Sequence, residues 1–316
     1  MITVLAGGVG AARFLSGLLQ VVDPADVVAV VNTGDDTVLH GLYISPDLDT
    51  VTYTLAGAIN PETGWGLRDE SWQAMALLRQ YGDEAWFQLG DRDLGTHLFR
   101  TGRLAEGLPL SAVTAEIAAG WNLELRLLPV TDDPLRTMVT VVDTDGVERE
   151  VGFQEYFVKR QHGVPVTSIR FGGADAARPG PGVLDALADA DVVVIAPSNP
   201  LVSIGPVLSV PGVRDAVVAA RKRTVAISPI VSGAALKGPA DRMLRELGHE
   251  VSVAGVARLY ADLAEVLVID EADAALASSV EATGLRCEVA PTIMSSPEAS
   301  ALLATVALEA VGYAPR

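Results

Sequence analysis

The chain has 316 residues, of which 49% are hydrophobic and 20% are charged, so it can bury a large core and is not an intrinsically disordered protein. Its 23 basic and 40 acidic residues give a formal net charge of −17, which opposes binding to nucleic acid and to an anionic membrane. The single cysteine, Cys287, excludes an intramolecular disulfide and indicates a reducing, cytoplasmic compartment. Neither a signal peptide nor a membrane-spanning segment is expected.

Five short runs rich in valine and isoleucine are predicted to be strands. Each run is apolar without alternation, which is typical of strands that are buried on both faces of a parallel sheet. Helical patterns separate these runs, so the sequence predicts an α/β fold with an open, mostly parallel sheet. The predicted strands are Ile2–Ala6, Val27–Val31, Val192–Ala196, Thr224–Ile227 and Val266–Ile269.

The rest of the chain is predicted to elaborate this single domain of residues 1–316. Residues 65–125 have mostly helical patterns and include all four tryptophans, so we expect a helical lobe there. An Asp-Gly turn at residues 143–146 predicts a β-hairpin between Thr137–Val142 and Glu148–Val158. The helical patterns are Arg13–Val22, Trp72–Tyr81, Ser111–Trp121, Pro211–Arg221, Pro239–Gly248 and Pro297–Val311.

A glycine turn, Gly7-Gly8-Val9-Gly10, follows the first predicted strand. Backbone amides in such a turn can converge on an anion at a helix N-terminus, and Arg13 could add a contact to phosphate. A dinucleotide-binding fingerprint would have glycine or alanine in place of Arg13 and an acidic residue in place of Asn32. A nicotinamide-dependent oxidoreductase is therefore disfavoured, and a tight turn without a ligand remains an alternative.

Two acidic loops are expected near the same sheet edge. Asn32-Thr33-Gly34-Asp35-Asp36 follows the second strand, and Ser45-Pro46-Asp47-Leu48-Asp49 precedes a predicted helix, Thr50–Leu55. Such loops could share a divalent cation with a substrate phosphate, so we expect Asp36 or Asp49 at a metal or a nucleophile. As an alternative, Asp47 or Asp49 caps the helix that follows.

Two later segments supply further candidate residues. His97 could be a hydrogen-bond partner or a general base near a ligand, or a histidine satisfied within the protein, and Asp91 could be an N-cap. A loop with three prolines presents Ser198 and Asn199, which suit a base edge or a phosphate, although a merely rigid loop has the same pattern. Lys237 is a candidate phosphate contact.

The ordered set of these motifs resembles the 2-phospho-L-lactate transferase / phosphoenolpyruvate transferase family of coenzyme F-420 biosynthesis. The resemblance extends from residue 2 to about residue 260. It implies a Rossmann-like, three-layer fold. The matching blocks are Gly7–Gly10, Asn32–Asp36, Pro46–Thr50, Tyr53–Leu55, Gly64–Gly66, Leu89–Leu94, Thr96–His97, Phe153–Val158, Pro197–Pro200, Ser203–Pro206 and Lys237–Ala240.

The resemblance also implies an activity. Such enzymes join a phosphorylated three-carbon acid, carried by a guanosine diphosphate ester, to the terminal hydroxyl of the deazaflavin Fo, and release GMP. The family requires Mg²⁺, and its members are usually homodimers. By resemblance, Asp36 and Asp49 are the catalytic and metal-binding residues, Gly8, Gly10, Arg13, Asn32, Thr33, Gly34, Ser198 and Asn199 bind the donor nucleotide, and Asp91, Thr96, His97 and Thr50 lie beside Fo.

Three questions stay open at this stage. A non-catalytic regulatory protein that binds a nucleotide sugar on a related fold is the main alternative, because such proteins have a similar glycine turn and acidic loop. The sequence does not separate enolpyruvyl, lactyl and glyceryl donors, although its high alanine and arginine content is typical of GC-rich bacteria and favours enolpyruvyl. It also does not decide whether Asp36, Asp49 or the metal alone activates the Fo hydroxyl.

Overall fold

The computed structural model describes residues 1–314 and is built around a seven-stranded parallel sheet. Two short hairpins and a three-stranded antiparallel sheet accompany it. In chain order the strands are β1 (Ile2–Ala6), β2 (Val27–Val31), β3 (Thr37–Leu39), β4 (Leu42–Ile44), β5 (Arg126–Pro129), β6 (Arg136–Val142), β7 (Glu148–Gly152), β8 (Val166–Gly172), β9 (Val192–Ile195), β10 (Thr224–Ile227), β11 (Ile230–Val231), β12 (Ala234–Ala235), β13 (Val266–Asp270) and β14 (Arg286–Ala290).

Helices cover both faces of the large sheet, whose strand order is β14-β13-β10-β9-β1-β2-β5. In chain order they are α1 (Gly8–Leu18), α2 (Pro46–Leu55), α3 (Gln73–Gln80), α4 (Asp93–Ala105), α5 (Leu110–Gly120), α6 (Val183–Ala188), α7 (Gly205–Ser209), α8 (Val213–Ala219), α9 (Ala240–Glu246), α10 (Val253–Tyr260), α11 (Ala277–Glu281) and α12 (Pro297–Ala310). In residues 1–314, no single helix combines the length and apolarity of a membrane span, and only the bent pair Pro200–Ser209 and Val213–Ala219 passes on length and composition.

The sheet lies between two hydrophobic layers because successive side chains of a strand point to opposite faces. Leu5 and Val30 belong to the core under α6–α8 and α10, whereas Val4 and Val31 belong to the core under α1, α2 and α12. All five residues of β1 and of β2 are buried, as expected for central parallel strands. The predicted three-layer, Rossmann-like α/β fold is therefore confirmed.

The structure differs from the sequence-based prediction at several element boundaries. The five predicted strands are the central ones, but both edge strands of the sheet, β5 and β14, were not predicted. Helix α1 begins at Gly8 rather than Arg13, so the glycine turn is its first turn. The predicted hairpin is present as β6 and β7, but β7 ends at Gly152, and β8 adds a third strand on the other side of β6.

The predicted helical lobe contains α3, α4 and α5, and two carboxylates fix the start of the first two helices. Asp91 does not cap the helix that follows it, because its oxygens accept hydrogen bonds of 3.0 Å from the amides of Gln73 and Ala74 at the start of α3. Glu70 in turn accepts the amides of residues 92 and 93, at 2.8 and 2.9 Å, where α4 begins. The two helix starts therefore cap each other.

Candidate active site at the carboxyl ends of the central strands

The glycine turn between β1 and α1 is packed tightly against the loop that follows β9. A Cβ atom at Gly10 would lie 2.2 Å from the carbonyl oxygen of Pro197, so only glycine permits this approach. Ser198 donates its Oγ–H to the carbonyl oxygen of Gly7 at 2.7 Å. Gly8 has φ +68°, in the left-handed region that favours glycine. The turn is therefore shaped by contacts that require its glycines.

Asn199 stands beside this turn and has a structural role of its own. Its Oδ1 accepts the amide of Leu201 at 2.9 Å and so begins a π-helical turn, Pro200–Ile204. Its Nδ2 makes only a long contact, 4.0 Å, with the sulfur of Met243. Its amide group therefore keeps N–H donors for a ligand, while its oxygen is used in folding.

Packing and hydrogen bonds join the glycine turn to the acidic loop after β2. Asp47 Oδ2 lies 3.2 Å from the position that a Cβ atom of Gly7 would occupy, and it accepts a hydrogen bond of 2.9 Å from Asn32 Nδ2. Asn32 Oδ1 then accepts the amide of Gly34 at 2.7 Å. Because β1 and β2 are adjacent and parallel, both loops leave the sheet at the same edge. The glycine turn and the acidic loop thus belong to one site.

Asp47 and Asp49 do not precede a helix as N-caps, because α2 begins at Pro46 and Ser45 occupies the N-cap position. Both aspartates therefore lie in the first turn of α2 and are buried. Burial raises the pKa of Asp47 to about 6, although the hydrogen bond from Asn32 acts against the rise. The second acidic loop is thus the start of a helix that projects carboxylates into the site.

Asp35 and Asp36 are buried with little compensation. Asp36 Oδ2 accepts a hydrogen bond of 2.9 Å from Ser45 Oγ, whereas the Oδ1 atoms of both aspartates have no partner. Burial raises the pKa of Asp36 to about 8. For Asp35, burial and then the charge of Asp47 raise the pKa well above its ordinary value. Two buried carboxylates, each with an orphaned oxygen, fit a divalent cation that prefers oxygen ligands, such as Mg²⁺.

Asp49 lies next to Asp36 and is held by Arg100 of α4. Both oxygens of Asp49 accept hydrogen bonds from the guanidinium, and the Nη1–Oδ2 distance is 3.1 Å. Arg100 has a relative exposure of only 2%, and the carboxylates of Asp49 and Asp36 both act to raise its pKa. Each Asp49 oxygen has a second lone pair, so the ion pair fixes this carboxylate without excluding a further ligand.

His97 lies between two of these acidic groups, on the face of α4 that points toward α2. Its Nδ1 is 3.7 Å from Asp49, and its Nε2 is 3.3 Å from Asp93. Asp93 also accepts the Tyr53 hydroxyl at 2.6 Å. Burial alone would raise the pKa of Asp93, but the nearby His97 imidazole, the hydrogen bond from Tyr53 and the positive charge of Arg100 hold it below its ordinary value. One potential ligand atom each from Asp49, Asp93 and His97 lie within 4.8 Å of one another.

A cleft of about 200 Å³ opens beside the acidic loop. The acidic side is formed by Asp35 and Asp36, and aromatic walls are supplied by Trp86 and Phe153. Arg136, the first residue of β6, is the basic residue of the lining. The cleft thus combines carboxylates, a guanidinium and apolar rings.

Two further cations lie near the glycine turn. The Nζ atom of Lys237 is 3.0 Å from the position that a Cβ atom of Gly64 would occupy, and Val9 of the turn lines the same position. Partial burial and the nearby charge of Arg13 lower the pKa of Lys237. Two neighbouring positive charges beside a helix N-terminus favour an anion.

The structure brings most residues of the predicted site together, and it gives Asp91 a contact of a different kind. One edge of the sheet holds the glycine turn, Asn32–Asp36, Asp49 and the Ser198 loop. His97 contacts Asp49, Thr96 lies near the Tyr53 hydroxyl, and Thr50 is buried in α2. Asp91 caps α3, so its predicted role toward Fo has no support from its contacts.

Arg100, Asp93 and Tyr53 belong to the site but are not among the residues predicted from the sequence. Asp93, His97 and Arg100 are spaced i, i+4 and i+7 on α4, which places them on one face of the helix. This spacing is visible in the sequence and indicates that the three side chains lie on the same side of the helix.

Comparisons with known proteins show which family the chain resembles. The sequence model of the 2-phospho-L-lactate transferase CofD family matches residues 2–291. Phosphoenolpyruvate transferases from Streptomyces griseus and Kitasatospora aureofaciens are both 48% identical to the chain over 310 residues, covering 98% and 97% of it and 97% and 96% of the relatives. One from Mycolicibacterium smegmatis is 42% identical over 322 residues and covers 98% of both chains.

A solved structure shows a similar fold. The crystal structure of a member of the UPF0052 family from Bacillus halodurans superposes with a TM-score of 0.60 at 16% identity, covering 98% of both chains. At this identity the likeness shows the fold alone.

Proposed function

The chain belongs to the 2-phospho-L-lactate transferase family of coenzyme F-420 biosynthesis, and we propose that it transfers a phosphoenolpyruvyl group from a guanosine diphosphate-linked donor to the terminal hydroxyl of Fo. The name of its relatives, phosphoenolpyruvate transferase, favours enolpyruvyl over the lactyl or glyceryl acid. The product is a phosphodiester, dehydro coenzyme F-420-0, and GMP is released.

One observation carries this proposal: the glycine turn and a group of buried carboxylates meet at one edge of the sheet, where Asp47 packs against the turn and bonds to Asn32. Phosphoryl transfer needs positioning and charge stabilisation more than covalent chemistry. The turn offers amides and nearby cations to a diphosphate, and the carboxylates offer oxygen ligands to a metal. These are the two parts that a diphosphate ester requires.

In this proposal, Gly8, Gly10 and Arg13 bind the diphosphate, and the amide group of Asn199 and Ser198 lie toward the nucleoside. Asn32, Thr33 and Gly34, at the start of the acidic loop, also contact the donor nucleotide. Asp36 and Asp49 would hold Mg²⁺, and the orphaned Oδ1 of Asp36 is the observation that fits it. When bound, the ion neutralises charge on the phosphoryl oxygens.

The hydroxyl oxygen of Fo attacks the distal phosphorus of the donor, and the bond from that phosphorus to the bridging oxygen of GMP breaks. The hydroxyl proton must be accepted within the site. Asp36 is better placed for this than Asp49. Its Oδ1 would contact the metal and its Oδ2 accepts only the Ser45 hydroxyl, whereas both Asp49 oxygens already accept from Arg100.

The acceptor is proposed to enter through the side of the site that faces α4, where Thr50, Thr96 and His97 lie. We propose that the protein acts as a homodimer, as the family resemblance implies.

The experiment is incubation of the protein with Fo, the guanylylated donor and Mg²⁺, followed by mass spectrometry of the product. The proposal predicts a phosphodiester of Fo together with one equivalent of GMP, and the enolpyruvyl product is two hydrogens lighter than the lactyl one. Turnover of neither donor, with Fo recovered unchanged, would contradict it.

A further inference from the structure

Arg136 is a cation at the edge of an otherwise acidic cleft. Its Nη1 donates to the carbonyl oxygen of Leu135 at 2.8 Å, and its guanidinium lies 6.0 Å from the centre of the Tyr43 ring. Within residues 1–314 no carboxylate oxygen lies within the 4.0 Å of a salt bridge to it. The positive charge of Arg136 nevertheless acts on Asp36, because it lowers the pKa of that carboxyl group against the effect of burial.

The backbone holds this side chain at the cleft. The amide of the next residue, Thr137, donates to the carbonyl oxygen of Gly34 at 2.6 Å. A Cβ atom at Gly34 would lie 2.6 Å from Thr137 Oγ1, so the loop and β6 are in close contact. Arg136 is therefore positioned by a strand rather than by a flexible loop.

The order of contacts across the site gives Arg136 a place relative to the donor. Asp47 packs beside the glycine turn and bonds to Asn32, Asn32 bonds to Gly34, and Gly34 contacts the start of β6. Arg136 is thus linked to the turn through the acidic loop. A donor whose diphosphate rests on the turn, with its distal phosphorus toward the acidic loop, would carry its three-carbon acid toward the cleft.

The chemistry of the cleft also requires a cation there. A carboxylate that entered beside Asp35 and Asp36 would be repelled by them, and an opposite charge is needed to offset that repulsion. A guanidinium offers paired N–H donors in the geometry that suits a carboxylate. Arg136 is the basic residue that lines the cleft.

We propose that Arg136 binds the carboxylate of the three-carbon acid carried by the donor and thereby selects an acid over a neutral group at that position. This inference rests on the proposed function, because it takes the donor from it. Arg136 is a specificity residue that contacts substrate; the reacting phosphorus lies elsewhere.

Binding measurements test this inference without turnover. We would titrate the protein by calorimetry, in the presence of Mg²⁺ and without Fo, with three probes: GDP, the lactyl ester of GDP, and the matching lactamide ester, which lacks the negative charge. The variants are Arg136→Gln and Arg136→Lys. The control is Arg170→Gln, in the neighbouring strand β8, whose arginine is exposed and pairs with Glu150.

The wild type and Arg170→Gln should bind the lactyl ester about tenfold more tightly than the lactamide ester, as expected for a hydrogen-bonded charge pair. Arg136→Gln should reduce this preference to less than about twofold and leave the dissociation constant of GDP within about twofold of wild type. Arg136→Lys should retain part of the preference, because it keeps the charge but loses the paired geometry.

Three results would overturn the inference. The first is that the wild type binds both esters equally. The second is that Arg136→Gln keeps the full preference for the lactyl ester over the lactamide ester. The third is that Arg136→Gln binds GDP about tenfold more weakly, which would place the guanidinium on phosphate instead. Failure of the proposed function is distinguishable from these results, since a protein that discriminates between the esters but forms no product with Fo supports Arg136 and contradicts the transfer.

Discussion

Asp49 and Arg100 form a two-point ion pair at the centre of the site, and both side chains are almost completely buried. A buried pair of this kind is destabilising to break, because the remaining charge has no partner and no water. Arg100→Met should therefore lower the free energy of unfolding by about 3–5 kcal/mol. Denaturant unfolding measures this quantity.

The matched control for this prediction is Arg103→Gln, in the same helix, whose arginine pairs with Glu116 at a half-exposed position. Its free energy of unfolding should be nearly unchanged, since exposed pairs contribute little. The double variant Arg100→Met with Asp49→Leu should recover much of the loss. Equal stability of Arg100→Met and Arg103→Gln would show that the buried pair has no special role in stability.

Asp36 makes the stability of the metal-free protein fall as the pH rises. Its pKa in the folded protein is about 8, above the ordinary value. Between about pH 4 and pH 8, the folded state therefore keeps a proton on Asp36 that the unfolded state has lost. Stability therefore decreases through that window and becomes flat above it. Asp36→Asn cannot titrate, so it should be more stable than wild type at pH 8 by at least about 1 kcal/mol, and the advantage should shrink at pH 5.

Mg²⁺ should reverse this effect, because the metal binds the ionised carboxylates. We expect added Mg²⁺ to raise the unfolding midpoint of the wild type more at pH 8 than at pH 5, and to do little for Asp36→Asn. Asp175→Asn, at an exposed position, should follow the wild type at each pH. A wild type whose stability rises steadily from pH 5 to pH 8 without metal would contradict the raised pKa.

The close approach of Gly10 to the Pro197 carbonyl makes the glycine turn intolerant of a side chain. Gly10→Ala should lower stability by about 1–3 kcal/mol and weaken GDP binding, because the turn must move away from the β9 loop. Gly102→Ala is the control: it lies within α4 with open space around it and should raise stability by about 0.5–1 kcal/mol. Thermal unfolding and GDP titration report the two effects, and a Gly10→Ala variant that binds GDP normally would show that the turn does not bind the diphosphate.

Asp36 and Asp49 should both be required for turnover, but only one of them should also be required for stability. Asp36→Asn and Asp49→Asn should each lower kcat by about a hundredfold or more at saturating Mg²⁺. Asp49→Asn should also destabilise the protein, since it leaves Arg100 without its counter-charge. Initial rates together with unfolding curves separate the two effects. Near-wild-type rates in both variants would remove these residues from the reaction.

The central architecture could be predicted from the sequence because its signal is local. Buried parallel strands are continuous apolar runs, and the five central strands have them. The edge strands β5 and β14 contain charged residues, Arg126 in one and Arg286 and Glu288 in the other, and partly exposed positions, so no apolar run marks them. Helix α1 was predicted to begin too late because its first turn contains two glycines, which have low helix propensity.

The site was only partly predictable because its polar residues are brought together by the fold. The glycine turn and the acidic loops are each continuous in sequence and were recognised. Arg100 and Arg136 come from α4 and β6, and no short-range pattern shows that they flank Asp36. The capping contacts of Glu70 and Asp91 could not be predicted for the same reason, since each carboxylate caps a helix that begins about 20 residues away in the sequence.

The central claim is that the glycine turn and the acidic loops bind two parts of one ligand. The most direct test is a crystal structure of the protein with GDP and Mn²⁺, the ion located by its anomalous scattering. The account predicts the diphosphate on the amides of Gly8 and Gly10 and the Mn²⁺ in contact with both the distal phosphate and Asp36. A nucleotide bound away from the glycine turn, or a metal peak at a different face of the molecule from the phosphates, would contradict it.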